Sequence, residues 1–479
     1  MGTPPTQLDL ANIQGDILEG LPKKNQTFFF FRINPNKVPD FRVHLAQLAP
    51  LIATAADVKN DRERIRLEKE RAAACKTTAS ILEMSGVNFA ISQKGLTALG
   101  NTDHLGDAAF KKGMLNDAPT LLDDPNQFVD ALKQDIHGAI TVTGSSAGVV
   151  ASTLANVLKV FNVGGEGASI DPVYQVDGQT RPGAEGDHEH FGFQDGISQP
   201  VIAGFSPSTI TEPVSEVIPL GRVLVGEDGD LDSTGTTVIQ RPTWAKDGSF
   251  LAFRQLKQRV PEFDQFLEAN KALTDGNKEQ LGARLVGRWK SGAPVDVAPL
   301  QDDFALAKDP NRNNDFRYDP GSQLRCPFAA HTRKTYPRND LSNSKAHRIL
   351  RRGIAYGPEV TDSEAANYQS STDPALERGL LFACYQSNLV NGFQFIQHSW
   401  ANNADFPPKT ITSGFDTIVG VSPAGVPRTM VGADPDDAAT SLDLTTDLFV
   451  VPRGGDYFFA PSVSAIRDTL GQAAQNFEL

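Results

Sequence analysis

The sequence predicts an α+β fold made of two similar halves, and three observations carry that prediction. Strand-sized apolar runs alternate with stretches of helical periodicity along the chain. A strand–helix entry unit occurs twice, as Arg32 followed by Val38-Pro39-Asp40-Phe41 and as Arg254 followed by Val260-Pro261-Glu262-Phe263, at a constant offset of 222. No glycine-rich dinucleotide or phosphate-loop pattern accompanies the strands, which argues against a doubly wound parallel sheet. The chain has 479 residues, too many for one ordinary core. The recurrence places one module at 1–215 and a second at 216–479.

Taken in order, Phe28–Ile33 reads as a buried strand because its aromatic run has no polar alternation. Residues 38–55 read as a helix with Pro39 near its first turn. Residues 57–75 are charge-rich and read as an exposed helix, and 144–161 as a further helix. The Gly, Asp and Pro content of 162–190 predicts loop. The second cycle opens with a strand at 249–256 and a helix at 260–273 that sets Phe263, Phe266 and Leu267 on one face. Residues 279–291 carry Leu281, Leu285, Val286 and Trp289 at helical spacing, and 292–322 read as loop. A strand at 379–387 leads into a helix at 388–400 with the stripe Leu389, Phe393, Ile396 and Trp400. Residues 447–462 read as a hairpin.

Composition narrows the functions. A net charge of −13 argues against nucleic acid, whose phosphates call for basic stripes. There is no apolar run of membrane-spanning length, so no membrane partner is expected. Three cysteines, at 75, 326 and 384, make neither a disulfide framework nor a metal knuckle. The start of the sequence lacks a basic segment followed by an apolar one, so no secretion signal is expected within it.

Three stretches carry candidate chemistry. In "FGFQDGISQP" (191–200) Asp195 is the one acid, set between Gly192 and Gly196. A carboxylate in apolar surroundings is costly unless hydrogen-bonded, so it is paired, functional, or spent on an ordinary turn. In "CPFAAHTRKTYPR" (326–338) His331 follows an apolar run and precedes Arg333, Lys334 and Arg338, a pattern open to a metal-ligating imidazole beside an anionic group or to a satisfied core histidine. In "HRILRRGIAYGPE" (347–359) Arg351 and Arg352 precede a short apolar turn. The "GDHEH" stretch allows another reading, a metal site ligated directly by His188, His190 and Asp187 or Asp195, if the segment is a strand whose alternate residues share a face.

Together these segments resemble the dye-decolourising peroxidases, in the longer fungal-type branch. "GFQDG" is similar to the family's G-x-x-D-G motif. "NIQGDILEGLPKK" (12–24), "CPFAAHTRKTYPR", "GLLFACYQSNLVNGFQFIQ" (379–397) and "FVVPRGGDYFFAPS" (449–462) resemble its other segments in family order. The resemblance implies two ferredoxin-like modules of the dimeric α/β-barrel type with antiparallel sheets, and haem b held mainly by the C-terminal half. It implies His331 as proximal iron ligand, Asp195 as distal acid–base and Arg351 beside it, Arg351 rather than Arg352 because it lies five positions before Tyr356. It further implies Arg338 at a haem propionate; Ile197, Ser198, Leu380 and Phe382 in the pocket; and Asp416, with Asp405 as rival, orienting the histidine. Hydrogen peroxide is the expected oxidant, with aromatic dyes and phenols as donors and Mn(II) as a further one through acids such as Asp434, Asp436 and Asp437. Bulky donors imply electron relay through Tyr356 or Trp400, the latter equally a core residue by its stripe. An aspartate base, of reference pKa about 3.9, implies work at acidic pH. Secretion is implied by the fungal branch. A haem-handling protein with little turnover is the second alternative.

Overall fold

The computed structural model describes residues 8–205, 217–232, 234–409, 411–444 and 448–471. The expected boundary at 215/216 lies outside the described residues.

The N-terminal half contributes strands β1 (Asn25–Ile33), β2 (Ser85–Ile91), β3 (Gly138–Gly144) and β4 (Ile170–Gln179). Its three longest helices are α1 (Val38–Leu48), α2 (Ala55–Cys75) and α3 (Ala147–Val160). The C-terminal half adds β5 (Ser249–Gln258), α4 (Val260–Asn270), α5 (Lys278–Val286), α6 (His331–Thr335), β6 (Leu350–Arg351), β7 (Ile354–Tyr356) and β8 (Gly379–Gln386). A small ribbon follows, β9 (Thr429–Val431) on β10 (Ser441–Asp443), and the long β11 (Val450–Ala460) completes the half. The repeated unit is real in three dimensions: α1 and α4 have the same length and the same Val-Pro start, each following the first strand of its half.

Nine strands form one antiparallel sheet in the order β4-β1-β3-β2-β11-β5-β8-β6, with β7 also on β8. β1 lies between β4 and β3, and β5 lies between β11 and β8, with β6 and β7 together in the place of a second strand, so both halves share the ferredoxin-like order. They join at a single pairing, Phe459 with Ile91. The far ends approach where Gly178 of β4 lies against the Ala355 carbonyl of β7.

Both faces of the sheet are covered, which is why β1 reads as four consecutive phenylalanines rather than an alternation. Phe28 and Phe30 point to an inner core with Phe253 (ring centroids 4.6 and 4.9 Å away), while Phe29 and Phe31 join the helix-covered core with Phe41. Helix α2 buries only Ala55, Val58 and Ala72. It starts on a Thr54–Asp57 capping box and carries ion pairs along its exposed length, as at Arg66 with Glu63 and Glu70. Among the described residues no helix is long and apolar enough to cross a membrane.

Several sequence expectations are corrected here. Residues 162–190 are not all loop: β4 is an edge strand, where Pro172 is tolerated because an edge leaves one set of backbone groups unpaired. Residues 447–462 are not a hairpin. The Gly-Gly pair makes a bulge inside one continuous strand, with a register shift between Pro452 and Gly455 and Gly454 at φ 108°. Helix α1 stops at Leu48, just before Pro50, and α5 stops at Val286, because Gly287 (φ 94°) turns the chain away and sends Trp289 into a separate small cluster. The stretch 388–400 is helical only from Phe393, and its last turn, Ile396–Ala401, is a π-helix. The loop 292–322 contains a short helix, Phe304–Lys308.

Candidate active site

One large cavity opens between the helix-covered side of the C-terminal half and the loop that leaves β4. It holds, mouth included, about 1830 Å³ free of protein atoms. Strand β8 shapes one wall through its two-residue period: Leu380 and Phe382 face the cavity, while Leu381 and Ala383 face the inner core.

His331 opens the short helix α6 and lines this cavity. Its Nδ1 lies 2.9 and 3.2 Å from the two oxygens of Asp416. Asp416 is fully buried, and its Oδ1 also accepts the N–H groups of Ile418 and Val419, each at 2.9 Å. Burial acts to raise the Asp416 pKa, but the imidazole and these N–H donors hold it below the ordinary range. Burial acts to lower that of His331, yet the Asp416 charge keeps it above its usual value. With Nδ1 committed, Nε2 is the nitrogen left for a ligand. Asp405, the rival, is exposed.

Asp195 and Arg351 line the same cavity. Arg351 Nη1 donates to Asp195 Oδ1 at 2.5 Å, and the same oxygen accepts the Gly196 N–H at 2.6 Å. Gly192 and Gly196, at φ 91° and 80°, allow the turn that presents the acid. Burial acts to raise the Asp195 pKa, but the Arg351 guanidinium outweighs it and holds the acid below its ordinary value. Arg352 turns the other way, donating to the carbonyls of Asp16, Ile17 and Leu18.

Gln199, which the sequence did not single out, fastens this arrangement. Its amide donates to the Arg351 carbonyl at 2.9 Å and accepts the Arg351 N–H at 3.1 Å, standing in for a neighbouring strand. Gln194 N–H on the Lys290 carbonyl (3.1 Å) and His190 Nε2 against the Tyr356 carbonyl (2.9 Å) dock the same loop on the C-terminal half. The mate of Gln199 lies 152 residues away, so no local signal marks it.

Arg338 is buried at φ 49° and stacks on Phe316, 4.1 Å from its ring. Its hydrogen bonds go to the Asn314 and Phe316 carbonyls and the Asn314 side-chain oxygen. Arg288, also missed, shares Asn314, and Arg348 joins them on the cavity wall. Burial, with Arg338 nearby, lowers the Arg288 pKa to about 9. Among the described residues Arg288 and Arg338 thus hydrogen-bond neutral oxygens at a cavity surface, an arrangement suited to an added anion. Ile197 and Ser198 complete the wall, and the Ser198 hydroxyl is buried without a hydrogen-bond partner among the described residues.

The relay candidates are both buried, so neither is a surface residue. Tyr356 is 6% exposed on β7 and donates to Glu377 at 2.9 Å. Trp400 is 2% exposed, stacked on Phe406 with ring centroids 5.0 Å apart and set edge-on to the cavity-lining His347. The core reading of its stripe therefore holds. The non-haem metal reading fails on geometry. Residues 186–194 form turns rather than a strand, His188 pairs with Asp187, and His190 is packed against β7, where burial lowers its pKa to about 4. Among the described residues no group of three or more His, Cys, Asp or Glu could hold a metal ion. Asp434 and Asp437 spend carboxylate oxygens on N–H groups of their own turn.

The donor set fits haem b. An imidazole with a free Nε2 and a carboxylate behind it suits ferric iron, the arginines suit propionates, and the apolar walls suit the macrocycle. An acid–guanidinium pair lining the same cavity defines a haem peroxidase. The comparisons agree. Residues 12–182 match the DyP dimeric alpha+beta barrel domain, and residues 227–412 match the Dyp-type peroxidase C-terminal family. Peroxidase 2 of Mycetinis scorodonius is 45% identical, over 97% of this chain and 88% of its own length. An ancestral D-type dye-decolourising peroxidase superposes with TM-score 0.87 at 50% identity, covering 97% of this chain and 99% of that one. A fungal DyP-type peroxidase of Auricularia auricula-judae does so with TM-score 0.84 at 39% identity, covering 98% and 100%. The chain belongs to the DyP-type peroxidase family. It is a hydrogen-peroxide-dependent oxidoreductase with haem b as cofactor.

Proposed function

We propose that this enzyme reduces hydrogen peroxide at Asp195 and Arg351 and draws electrons from aromatic dyes and phenols. The observation that carries the reading is the placement of two paired sets, His331–Asp416 and Asp195–Arg351, on one cavity. Haem, when bound, would supply the redox chemistry of its iron and porphyrin. His331 Nε2 would hold the iron, with Asp416 keeping the proton on Nδ1, and Arg338 with its neighbours would take the propionates.

Asp195 accepts a proton from one peroxide oxygen and returns it to the other, which leaves as water. Its lowered pKa keeps it ionised in acid, where a histidine base would be protonated. Arg351 stabilises negative charge on the departing oxygen through a guanidinium preorganised by Asp195, on a backbone that Gln199 fastens. Phenol-sized donors enter the cavity. Bulky dyes, the substrates that the relatives' names print, stay outside and are served by Tyr356, which is one residue along from Ala355, the β-partner of cavity-lining Leu380. Trp400 is the second relay position. Mn(II) is the less favoured donor, since Asp434 Oδ1 and both Asp437 oxygens accept hydrogen bonds from their own turn. We place the enzyme outside the cell, where donors too large to cross a membrane are found; activity confined to the cell lysate would contradict that.

The test is the absorbance change with one equivalent of peroxide. Asp195→Asn retains haem and loses the fast peroxide reaction, while His331→Ala loses iron ligation. An Asp195→Asn enzyme that reacts at the parent rate between pH 3 and 7 refutes the assignment.

A further inference from the structure

We propose that Glu377 is the proton acceptor for oxidation of Tyr356. When the phenol gives up an electron, its O–H proton passes to the Glu377 carboxylate, and it returns when the radical is reduced. This rests on the reading of Tyr356 as a relay and adds the group that makes such a relay feasible.

The Tyr356 hydroxyl donates to Glu377 Oε1 at 2.9 Å. The ring is 6% exposed and sits in the inner core. Burial, with Glu377 beside it, holds its pKa well above the ordinary value, so the proton stays on the phenol at rest. A tyrosine oxidised in such a place without losing its proton would leave a cationic ring in apolar surroundings, which is costly. A base within hydrogen-bond reach removes that penalty. Reference values put a carboxylate roughly six pH units below a phenol, so transfer is uphill before oxidation. Oxidation makes the phenol a strong acid and reverses the direction.

The carboxylate is held in position. Arg453 Nε lies 3.2 Å from Glu377 Oε2, and Gln255 Nε2 lies 3.4 Å from Oε1. The side chains of Arg453 and Glu377 are 27% and 15% exposed, so a donor outside the protein can approach this end of the path. Two other tyrosines lack the combination. Tyr174 donates to the amide of Gln255 at 2.9 Å, and an amide is no base. Tyr457 donates to Asp117 at 2.9 Å, but both are sealed from solvent, and Asp117 already accepts from Lys112 and Gln394.

The step balances. One electron goes from the phenol to the oxidised cofactor that peroxide reduction has generated. The Tyr356 O–H bond breaks and an O–H bond forms on Glu377. The external donor then returns an electron to the phenoxyl oxygen, the Glu377 proton goes back with it, and the donor releases its own proton to solvent.

Freeze-quenched electron paramagnetic resonance of the haem-loaded enzyme, after one equivalent of peroxide, tests this. The variants are Tyr356→Phe, Glu377→Gln and Glu377→Asp, with Tyr457→Phe as a control. Expected are loss of the tyrosyl signal in Tyr356→Phe, at least a tenfold loss in Glu377→Gln, and retention in Glu377→Asp. A full signal in Glu377→Gln that Tyr356→Phe lacks overturns the proton acceptor and leaves the relay standing. Loss in both Glu377 variants makes the residue structural and likewise overturns it. A signal that survives Tyr356→Phe, and disappears in Tyr457→Phe, sinks the relay itself and the acceptor with it.

Discussion

Replacing Asp416 by asparagine changes one atom and should displace the proton that decides whether His331 can bind iron. In the native pair Oδ1 is committed to the Ile418 and Val419 N–H groups at 2.9 Å, and Oδ2 faces His331 Nδ1 at 2.9 Å. An asparagine must keep its carbonyl on the two N–H donors. The reverse orientation leaves donors facing donors in a fully buried place, at about 1–3 kcal/mol for each unsatisfied group. Its NH₂ therefore points at Nδ1, which becomes an acceptor, and the imidazole proton moves to Nε2. A protonated Nε2 has no lone pair for the metal. Loss of an outer-shell partner of this kind typically weakens metal binding about 10–100-fold, or roughly 1.4–2.7 kcal/mol at 1.36 kcal/mol per decade. Haem loss from Asp416→Asn to an excess of a tight haem acceptor, followed at the Soret band, should accelerate by that factor. The iron midpoint potential should rise, because a neutral amide no longer pushes charge onto the imidazole. Asp405→Asn, on an exposed side chain, should leave both unchanged. Haem loss within twofold of the parent together with an unmoved potential would refute the reasoning.

Other outcomes follow from the same geometry. In Arg351→Leu, burial acts on Asp195 without its counter-charge, so the acid's pKa rises, and the acid limb of the peroxide reaction moves to higher pH; the optimal rate also falls, by about 10²–10³ if the guanidinium acts on the transition state. A limb that stays in place in stopped-flow profiles counts against the pairing. Lys334 is sealed among the carbonyls of Trp400, Asn403 and Phe406, and burial lowers its pKa from 10.5 to about 7. The unfolded chain therefore holds more protons between about pH 7 and 10.5, and this group makes stability rise with pH through that window. Thermal melts of Lys334→Met should lack that rise; an unchanged pH slope would show that the ammonium is not strained. Gly454→Ala puts a Cβ 3.0 Å from Leu132 Cβ at φ 108° and should destabilise by about 1–3 kcal/mol in denaturant melts. A change below about 0.5 kcal/mol, the range of an ordinary surface substitution, would mean the bulge tolerates a side chain.

The elements the sequence made legible are those with dense, short-range signals. Phe28–Ile33 announced a strand covered on both faces, and Val38-Pro39 with Val260-Pro261 announced the two helix starts. Strand β4 stayed hidden because Asp171, Pro172, Asp177 and Gly178 read as loop, and an edge position tolerates them. Gly454-Gly455 looked like a turn, because a bulge and a hairpin use the same residues and differ only in what lies opposite, here Leu256 and Arg254 of β5. At the site, the segments holding Asp195, His331 and Arg351 stand out by residue type, but their roles come from resemblance to a family, not from periodicity. Arg288, Gln199 and Glu377 carried no such mark.

What the sequence by itself determined is local: turn chemistry around Asp195, helix starts, strands buried on both faces, and the repeat that foretold two like halves. Only the tertiary structure decided which of two neighbouring arginines meets the acid, which aspartate stands behind His331, and that Tyr356 ends on a carboxylate. Periodicity and capping act over a few residues, whereas these pairings join groups 156, 85 and 21 positions apart. Such groups meet only when burial of apolar faces has brought their strands and loops together, and their energetics depend on the low-dielectric surroundings that the same burial creates.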